Sequence, residues 1–513
     1  MRKKKALINA SVSILAFIIT FIPNLITRKI FLKVLGDDLL GLNSLYTNII
    51  GWLSIFELGV GTAIIFSLYK PFAEDNKKLV KSYIRFYGKF YRRIGIIILF
   101  IGLLITPYLK YFINGNIDLN IVKLGFIIFL INSFISYLFS SRLSILNVAQ
   151  EFYKVNIGVT ASKLMILFIQ FLILKTYPSF ILYILTQLVI NLIYFIIINL
   201  YIIKKYPWIK GKGEDLEKNE KTSLLKNIKA MFMHKIGSLI VFSTDNIIIS
   251  KFIGLATLAN YANYNIVITA FQTIISKGME GVTSSIGNLL TEDNKSRFSE
   301  IHKNMFFLNF WITSFIVISL YNTLNQFIGI WVGKEYLLDS LTFNVLLVNL
   351  YLTLMRGSIE KFKEGSGNFY RDRYAPIFEA VINLISSILL VKHIGIAGVF
   401  IGTLISNVTI IFWVQPYMVY KYVFEERLVN YFKIYFKYLV IGLIILVFTE
   451  ILVIPYKYIF TLRSFILNCI LNIAIINSLY LIIFFRTNEF KYFKTIFNNL
   501  LMKYTSSKTK NKK

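Results

Sequence analysis

Stretches of about 20 mostly apolar residues, each long enough to cross a bilayer, follow one another from Ala6 almost to Arg486. Runs such as GIIILFIGLLI at 95–105 are apolar on every side, whereas strands of a lipid-facing barrel alternate polar and apolar positions. The pattern therefore predicts helices, with about fourteen spans at 6–27, 42–69, 84–109, 120–142, 152–174, 179–203, 227–252, 258–288, 304–325, 341–360, 375–392, 396–420, 433–454 and 461–485. The expected fold is an all-α integral membrane protein. The opening MRKKK precedes an apolar run that continues through Pro23 to Ile26 with no small-residue cleavage site, so the first segment reads as a retained helix.

Polar residues interrupt these spans in an ordered way. The run HKIGSLIVFSTDNIIISK at 234–251 places His234, Ser238 and Asp245 within about 40° of one another on a helix, with Lys235 and Asn246 beside them. Lys235 and Asp245 stand about 15 Å apart along the axis at 1.5 Å per residue, too far to pair. Similar stripes are Asn43, Thr47, Ser54, Glu57 and Gly61 in span 42–69, Asn156, Thr160, Lys163 and Gln170 in 152–174, and Thr273, Lys277, Glu280 and Ser284 in 258–288. For the neutral members, packing of helix against helix is a sufficient role. A charge in the hydrocarbon core costs roughly 2.5–3.5 kcal/mol on insertion scales, so the ionised members need partners or a function. Lys277 and Glu280, at i and i+3, can neutralise each other; Lys163 and Lys235 have no such local partner.

Composition agrees with the pattern, at 56% hydrophobic residues and a mean hydropathy of +0.65. The formal net charge of +30 lies in basic segments flanking the spans, beside no RNA- or DNA-binding motif, so membrane lipids with anionic headgroups are the expected partners and nucleic acid is not. Basic loops stay in the cytoplasm, and Arg2–Lys5, Lys70–Arg93, Lys204–Lys226, Arg356–Arg373 and the KYTSSKTKNKK tail fall on one side when the span count is even, which predicts two cytoplasmic termini. Arg28, Lys29 and Lys33 break that rule. Cys469 is alone and there are three histidines, so neither a disulfide nor a metal site is expected. No phosphate-binding loop and no nucleophile elbow occurs, which argues against an enzyme.

One polar interior segment divides the chain. It predicts an N-terminal lobe of six helices at 1–203, a cytoplasmic linker at 204–226, a C-terminal lobe of helices 7–12 at 227–421, and two further helices with a basic tail at 422–513. GDDLLGLNSLY at 36–46 and GLATLANYANY at 254–264 share a leading Gly, a Leu (Leu40, Leu258) and a closing Tyr at equal spacing, a weak internal repeat of the kind transporter halves carry. A wet, net-basic interior between two lobes suits an amphiphile with an anionic end, such as a phosphate or pyrophosphate carrying sugars, held by charge-assisted hydrogen bonds from lysine and arginine. The substrate-binding candidates are Arg28, Lys163, Lys235 and Lys277. Asp245, Glu57 and Glu280 are candidates for binding a coupling H+ or Na+; no other cofactor is expected.

LGDDLLGLNSLYTNIIGWLSIFELGVGTAIIFSLYKPFAEDN, HKIGSLIVFSTDNIIISKFIG with YANY, and PIFEAVINLISSILLVKHIGIAGVFIGTLIS resemble the helix signatures of bacterial polysaccharide flippases, the polysaccharide transporter branch of the multidrug/oligosaccharidyl-lipid/polysaccharide exporter superfamily. The resemblance implies six plus six helices with two more at the C-terminus, alternating access, and transport of undecaprenyl-pyrophosphate-linked oligosaccharide repeat units across the bacterial cell membrane for surface polysaccharide biosynthesis, in concert with polysaccharide polymerase machinery. It also sets Arg28, in TRKIFLKVLG, where related lipid II flippases carry a cavity-facing arginine; snorkelling to the outer headgroups is the alternative. The rival readings are a lipid II flippase, a multidrug/cation antiporter with a more acidic interior, and a membrane-embedded polymerase or glycosyltransferase, which would need a large outward loop that the sequence lacks.

Overall fold

The computed structural model describes residues 2–57, 60–114, 117–211, 213–222, 244–289, 295–366 and 374–495, with residues 224, 225, 228, 372 and 498. Nearly all of these are helical and none lies in a strand. In chain order the helices are α1 (Arg2–Leu35), α2 (Asp37–Leu53), α3 (Val60–Ala73), α4 (Lys77–Ile105), α5 (Leu119–Val148), α6 (Phe152–Thr176) and α7 (Phe180–Lys205), then α8 (244–252), α9 (Leu255–Leu289), α10 (Lys295–Trp331), α11 (Ser340–Met355), α12 (Gly357–Ser366), α13 (Ala375–Ile394), α14 (Ile396–Ser406), α15 (Phe412–Val419), α16 (Leu428–Lys457) and α17 (Leu462–Phe484). Five-residue π-helical turns, Asn407–Ile411 and Tyr420–Phe424, bracket α15.

Ten helices among the described residues are long and apolar enough to cross a membrane, and they coincide with ten of the fourteen predicted spans. Two predictions need correction. Span 42–69 is not one helix: a 3-10 turn at Ser54–Glu57 breaks it between α2 and α3, so Glu57 and Gly61 do not continue the stripe of Asn43 and Thr47. Span 341–360 also breaks, at Arg356 between α11 and α12, where the Arg356 Nε donates to Glu360 at 2.6 Å. In span 227–252 only residues 244–252 are described, and His234, Lys235 and Ser238 lie outside the described residues.

The chain forms two compact units, one of Met1–Ala262 with Ser387–Val399, the other of Asn263–Ser386 with Phe400–Lys513. In the first unit α5 packs against α4 and α7, and α6 against α1 and α7. Small residues let these helices approach, because a β-carbon on Gly102 would meet Leu130 at 2.2 Å and one on Gly158 would meet Tyr194 at 2.7 Å. At the α5–α6 corner Glu151 accepts from Lys154 at 2.8 Å and is paired with Lys205 of α7. Burial alone would raise the Glu151 pKa, but the hydrogen bonds from Lys154 and Lys205 outweigh it and hold the carboxyl at about 2.

The second unit is built on aromatic packing. Phe306, Phe310, Phe362, Tyr420, Phe424 and Tyr431 belong to one buried cluster that encloses His302, whose ring lies 5.3 Å from those of Phe362 and Phe424. Helix α17 turns Asn468, Asn472, Ile476, Tyr480 and Phe484, spaced by four, inward. Asn322 donates to Asn472 at 2.8 Å, Asn468 donates to Gln326 at 3.0 Å, and Tyr480 donates to Ser314 at 2.6 Å. In lipid, where apolar contact gains little over solvation by tails, such bonds fix one helix against another.

Candidate functional site

Inside the first unit, α2, α5, α6 and α7 leave a cavity of about 550 Å³. Pairs of polar residues four apart face it, Asn132 with Ser136 on α5 and Gln187 with Asn191 on α7, along with Thr47, Ser162 and Tyr194. An i,i+4 pair shares one helix face, so each helix presents its polar side inward and leaves its apolar side to lipid. Asn191 donates to Asn132 at 3.0 Å, which ties α7 to α5 across one wall, and the Tyr194 hydroxyl is buried with no hydrogen-bond partner among the described residues.

Lys163 lines this cavity. It stands near the middle of α6 with its side chain exposed. No carboxylate, hydroxyl or carbonyl among the described residues hydrogen-bonds its ammonium. An ammonium beside amide and hydroxyl side chains offers an anionic ligand a charge-assisted hydrogen bond.

The other residues singled out from sequence lie elsewhere in the chain. Arg28 is half-buried on α1, its Nη2 out of contact with solvent, and its charge is felt by Tyr183 of α7. Tyr183 in turn offers its backbone carbonyl to Gln170 of α6 at 2.9 Å and packs edge-on against Phe31 at 4.8 Å. Glu57, in the 3-10 turn, accepts from Tyr91 at 2.5 Å and from Tyr137 at 2.8 Å, and Tyr137 also donates to Ser54 at 3.2 Å. Asp245 is buried near the start of the described part of α8 and within electrostatic reach of Tyr261, while its neighbour Asn246 donates to Asn48 of α2 at 2.8 Å. Lys277 and Glu280 lie on α9, their side chains outside the described residues, and Lys235 is outside them altogether.

Sequence reasoning singled out Lys163 and Glu57 but not their surroundings. Asn132/Ser136 and Gln187/Asn191 carried a readable signal, polar pairs at i,i+4 inside apolar spans. Tyr91 and Tyr137 carried none, since a tyrosine in an apolar run looks like core until its hydroxyl is seen to face a carboxylate.

The second unit holds a cavity of a different kind. It measures about 610 Å³ and is lined by residues such as Leu347, Tyr351, Phe412, Trp413, Phe436 and Leu443. The Tyr351 and Tyr435 hydroxyls are buried there with no hydrogen-bond partner among the described residues.

Comparison with known proteins bears on both units. The family described as "Polysaccharide biosynthesis protein" matches residues 6–283, more than half of the chain. No curated protein matches. Among solved structures, "Lipid II flippase MurJ, inward closed conformation" superposes with a TM-score of 0.68 at 16% identity, covering 92% of this chain and 98% of that one. An inward-facing multidrug resistance MATE family transporter of the MOP superfamily gives 0.61 at 15%, covering 79% and 95%, and a mutant MATE transporter of Vibrio cholerae gives 0.52 at 13%, covering 82% and 99%. The fold is that shared by MurJ and the MATE transporters, and the chain belongs to the polysaccharide biosynthesis protein family.

Proposed function

We propose that this member of the polysaccharide biosynthesis family is a flippase, which moves the polar head of an undecaprenyl-pyrophosphate-linked oligosaccharide repeat unit across the bacterial cytoplasmic membrane by alternating access. The observation that carries this reading is Lys163, an ammonium with no hydrogen-bonding partner among the described residues, facing a cavity whose lining mixes Asn, Gln, Ser, Thr and Tyr side chains with Ile50, Phe129, Val159, Ile166 and Phe195. Amides and hydroxyls match the donors and acceptors of sugars, and an ammonium matches a phosphate or other anion. The aromatic and aliphatic cavity of the second unit suits an apolar chain. Family membership supports a role in surface polysaccharide biosynthesis, beside polymerase machinery and without covalent chemistry of its own.

Arg28, Lys235 and Lys277 are the further cations assigned to the headgroup. Asp245, Glu57 and Glu280 are assigned to a coupling H+ or Na+; two phenol donors hold the Glu57 carboxyl in place. Both termini then lie in the cytoplasm, as the basic loops require. The test is complementation: a strain lacking its polysaccharide flippase regains surface polymer with the native chain and not with Lys163→Met. Asp245→Ala abolishes the ion dependence of transport in vesicles; unchanged dependence removes Asp245 from the coupling role.

One rival retains support. The superposition on MurJ covers 92% of this chain against 79% for the MATE transporter, which favours the lipid II flippase reading over the drug antiporter. Rescue of a strain depleted of its lipid II flippase, with no rescue of the polysaccharide mutant, would decide for that substrate.

A further inference from the structure

Residues 77–93 of α4 carry seven basic side chains and no acidic one. Five of the seven, Lys77, Lys81, Arg85, Lys89 and Arg93, recur at every fourth residue. That spacing draws them into a stripe about 24 Å long at 1.5 Å per residue, and like charges at i,i+4 oppose the helix that holds them. A helix with this face needs counter-charge.

The chain supplies it from the segment after α7. Glu214 pairs with Lys78 at 2.9 Å, Asp215 with Lys89 at 2.6 Å and with Arg85 at 3.5 Å. Arg85 also donates to the Gly213 carbonyl, and Tyr83 donates to the Glu220 carboxylate. Gly213 is buried and sits so close to α4 that a β-carbon would stand 2.7 Å from the Lys81 carbonyl oxygen. Residues 213–220 are therefore a strap laid along the stripe. Most of its grip is ionic and wet, with the Glu214 and Asp215 side chains 68% and 72% exposed. Such pairs are screened and weak, so another anion can take their place.

Where that anion sits follows from the far end of the stripe. Arg92 and Arg93 are exposed, hold no ion pair among the described residues, and directly precede the apolar run 94–105 of the same helix. A place at the end of an apolar run suits contact with lipid headgroups, and the two arginines continue the line of cations that the strap covers.

We propose that the basic stripe of α4 is a docking face for anionic phospholipid headgroups and that residues 213–220 are its built-in competitor, an autoinhibitory strap that anionic lipid displaces. Displacement frees the segment that follows α7. The inference does not depend on which substrate is carried.

The test uses the full chain in bilayers. Cys469→Ser removes the native thiol, and Glu74→Cys with Asn219→Cys places spin labels on the α3–α4 turn and on the strap. In phosphatidylcholine the label separation forms one narrow distribution; adding phosphatidylglycerol shifts it to a longer, broad one. Glu214→Gln, Asp215→Asn and Glu220→Gln together give the broad distribution in both bilayers. A distribution unmoved by either phosphatidylglycerol or the three neutralisations overturns the proposal, because the strap is then a fixed part of the unit. Displacement by soluble polyglutamate but not by phosphatidylglycerol overturns it too, assigning the face to an acidic protein instead.

Discussion

In the first unit a cavity of about 550 Å³ is faced by Asn132, Ser136, Lys163, Gln187 and Asn191; in the second, a cavity of about 610 Å³ is faced by Leu347, Phe412, Trp413, Phe436 and Leu443. Yet the repeated motif enters its helices alike. Gly36 and Gly254 take positive φ, 86° and 137°, a conformation that favours glycine, and start α2 and α9. Leu40 and Leu258 are buried after them, as are Tyr46 and Tyr264. Tyr46 donates to the Val122 carbonyl and Tyr264 to the Asn325 side chain, both at 2.6 Å. The repeated motif sets the entry of α2 and α9, while the walls of the two cavities differ in polarity. A polar head suits the first and an apolar chain the second.

The largest effect is expected where the two copies of the motif differ. A β-carbon on Gly41 would stand 2.0 Å from the Leu255 carbonyl oxygen, which belongs to the backbone and cannot swing away. Gly41→Val therefore costs about 3 kcal/mol, at the upper end of overpacking, read as a fall in the unfolding midpoint. The matching residue of the second copy, Ala259, is fully buried; Ala259→Gly costs about 1 kcal/mol in helix propensity. Equal costs would undo the asymmetry between the copies.

Next comes Lys163. A hydrogen bond to a charged group contributes about 1.5–3 kcal/mol, so Lys163→Met lowers transport about 10–100-fold by the same arithmetic, while the unfolding midpoint holds or rises because an unpaired cation is gone. A fall in stability with transport intact would make Lys163 a structural residue. Third, Glu151→Gln leaves Lys154 and Lys205 without their shared carboxylate. The Glu151 side chain is only 14% exposed, and about 2 kcal/mol is expected, below the cost for a fully buried pair because both lysines reach solvent. Since the folded-state pKa of Glu151 is depressed to about 2 from 4.5, its contribution is complete above about pH 4.5 and is lost as pH falls toward 2. Unfolding midpoints of the native chain and Glu151→Gln therefore converge at the acid end, and a constant gap would exclude this pair as the cause.

The smallest change tests the apolar cavity. The Tyr351 hydroxyl is buried there with no hydrogen-bond partner among the described residues, so Tyr351→Phe leaves stability level or up to about 1 kcal/mol higher. Tyr194→Phe in the polar cavity is equally mild for stability but weakens transport if that hydroxyl meets the substrate. Matching transport in the two variants would erase the distinction between the cavities.

Much of the fold was legible in the residue pattern because a bilayer leaves few solutions: backbone groups must bond internally, so apolar runs of this length become helices. The break at Ser54–Glu57 was not legible, because it lies within an apolar run without a proline and is held by Tyr91 and Tyr137 from other elements. The break at Arg356 had a signal, the start of the basic segment Arg356–Arg373, though not its pairing with Glu360. Lys163 stood out because charge in a span is costly wherever it falls. Its cavity did not, because four separate helices build it.

The sequence by itself determined an all-helical membrane protein, its repeated helix entry at Gly36 and Gly254, and the acidic and basic residues that needed partners. Tertiary structure decided which of them found one. Glu57 met two phenols, the stripe of α4 met the strap, and Lys163 met open space in a polar cavity. Periodicity fixes the face on which a side chain stands, but the group opposite comes from a helix far away in the chain, and only packing brings the two together.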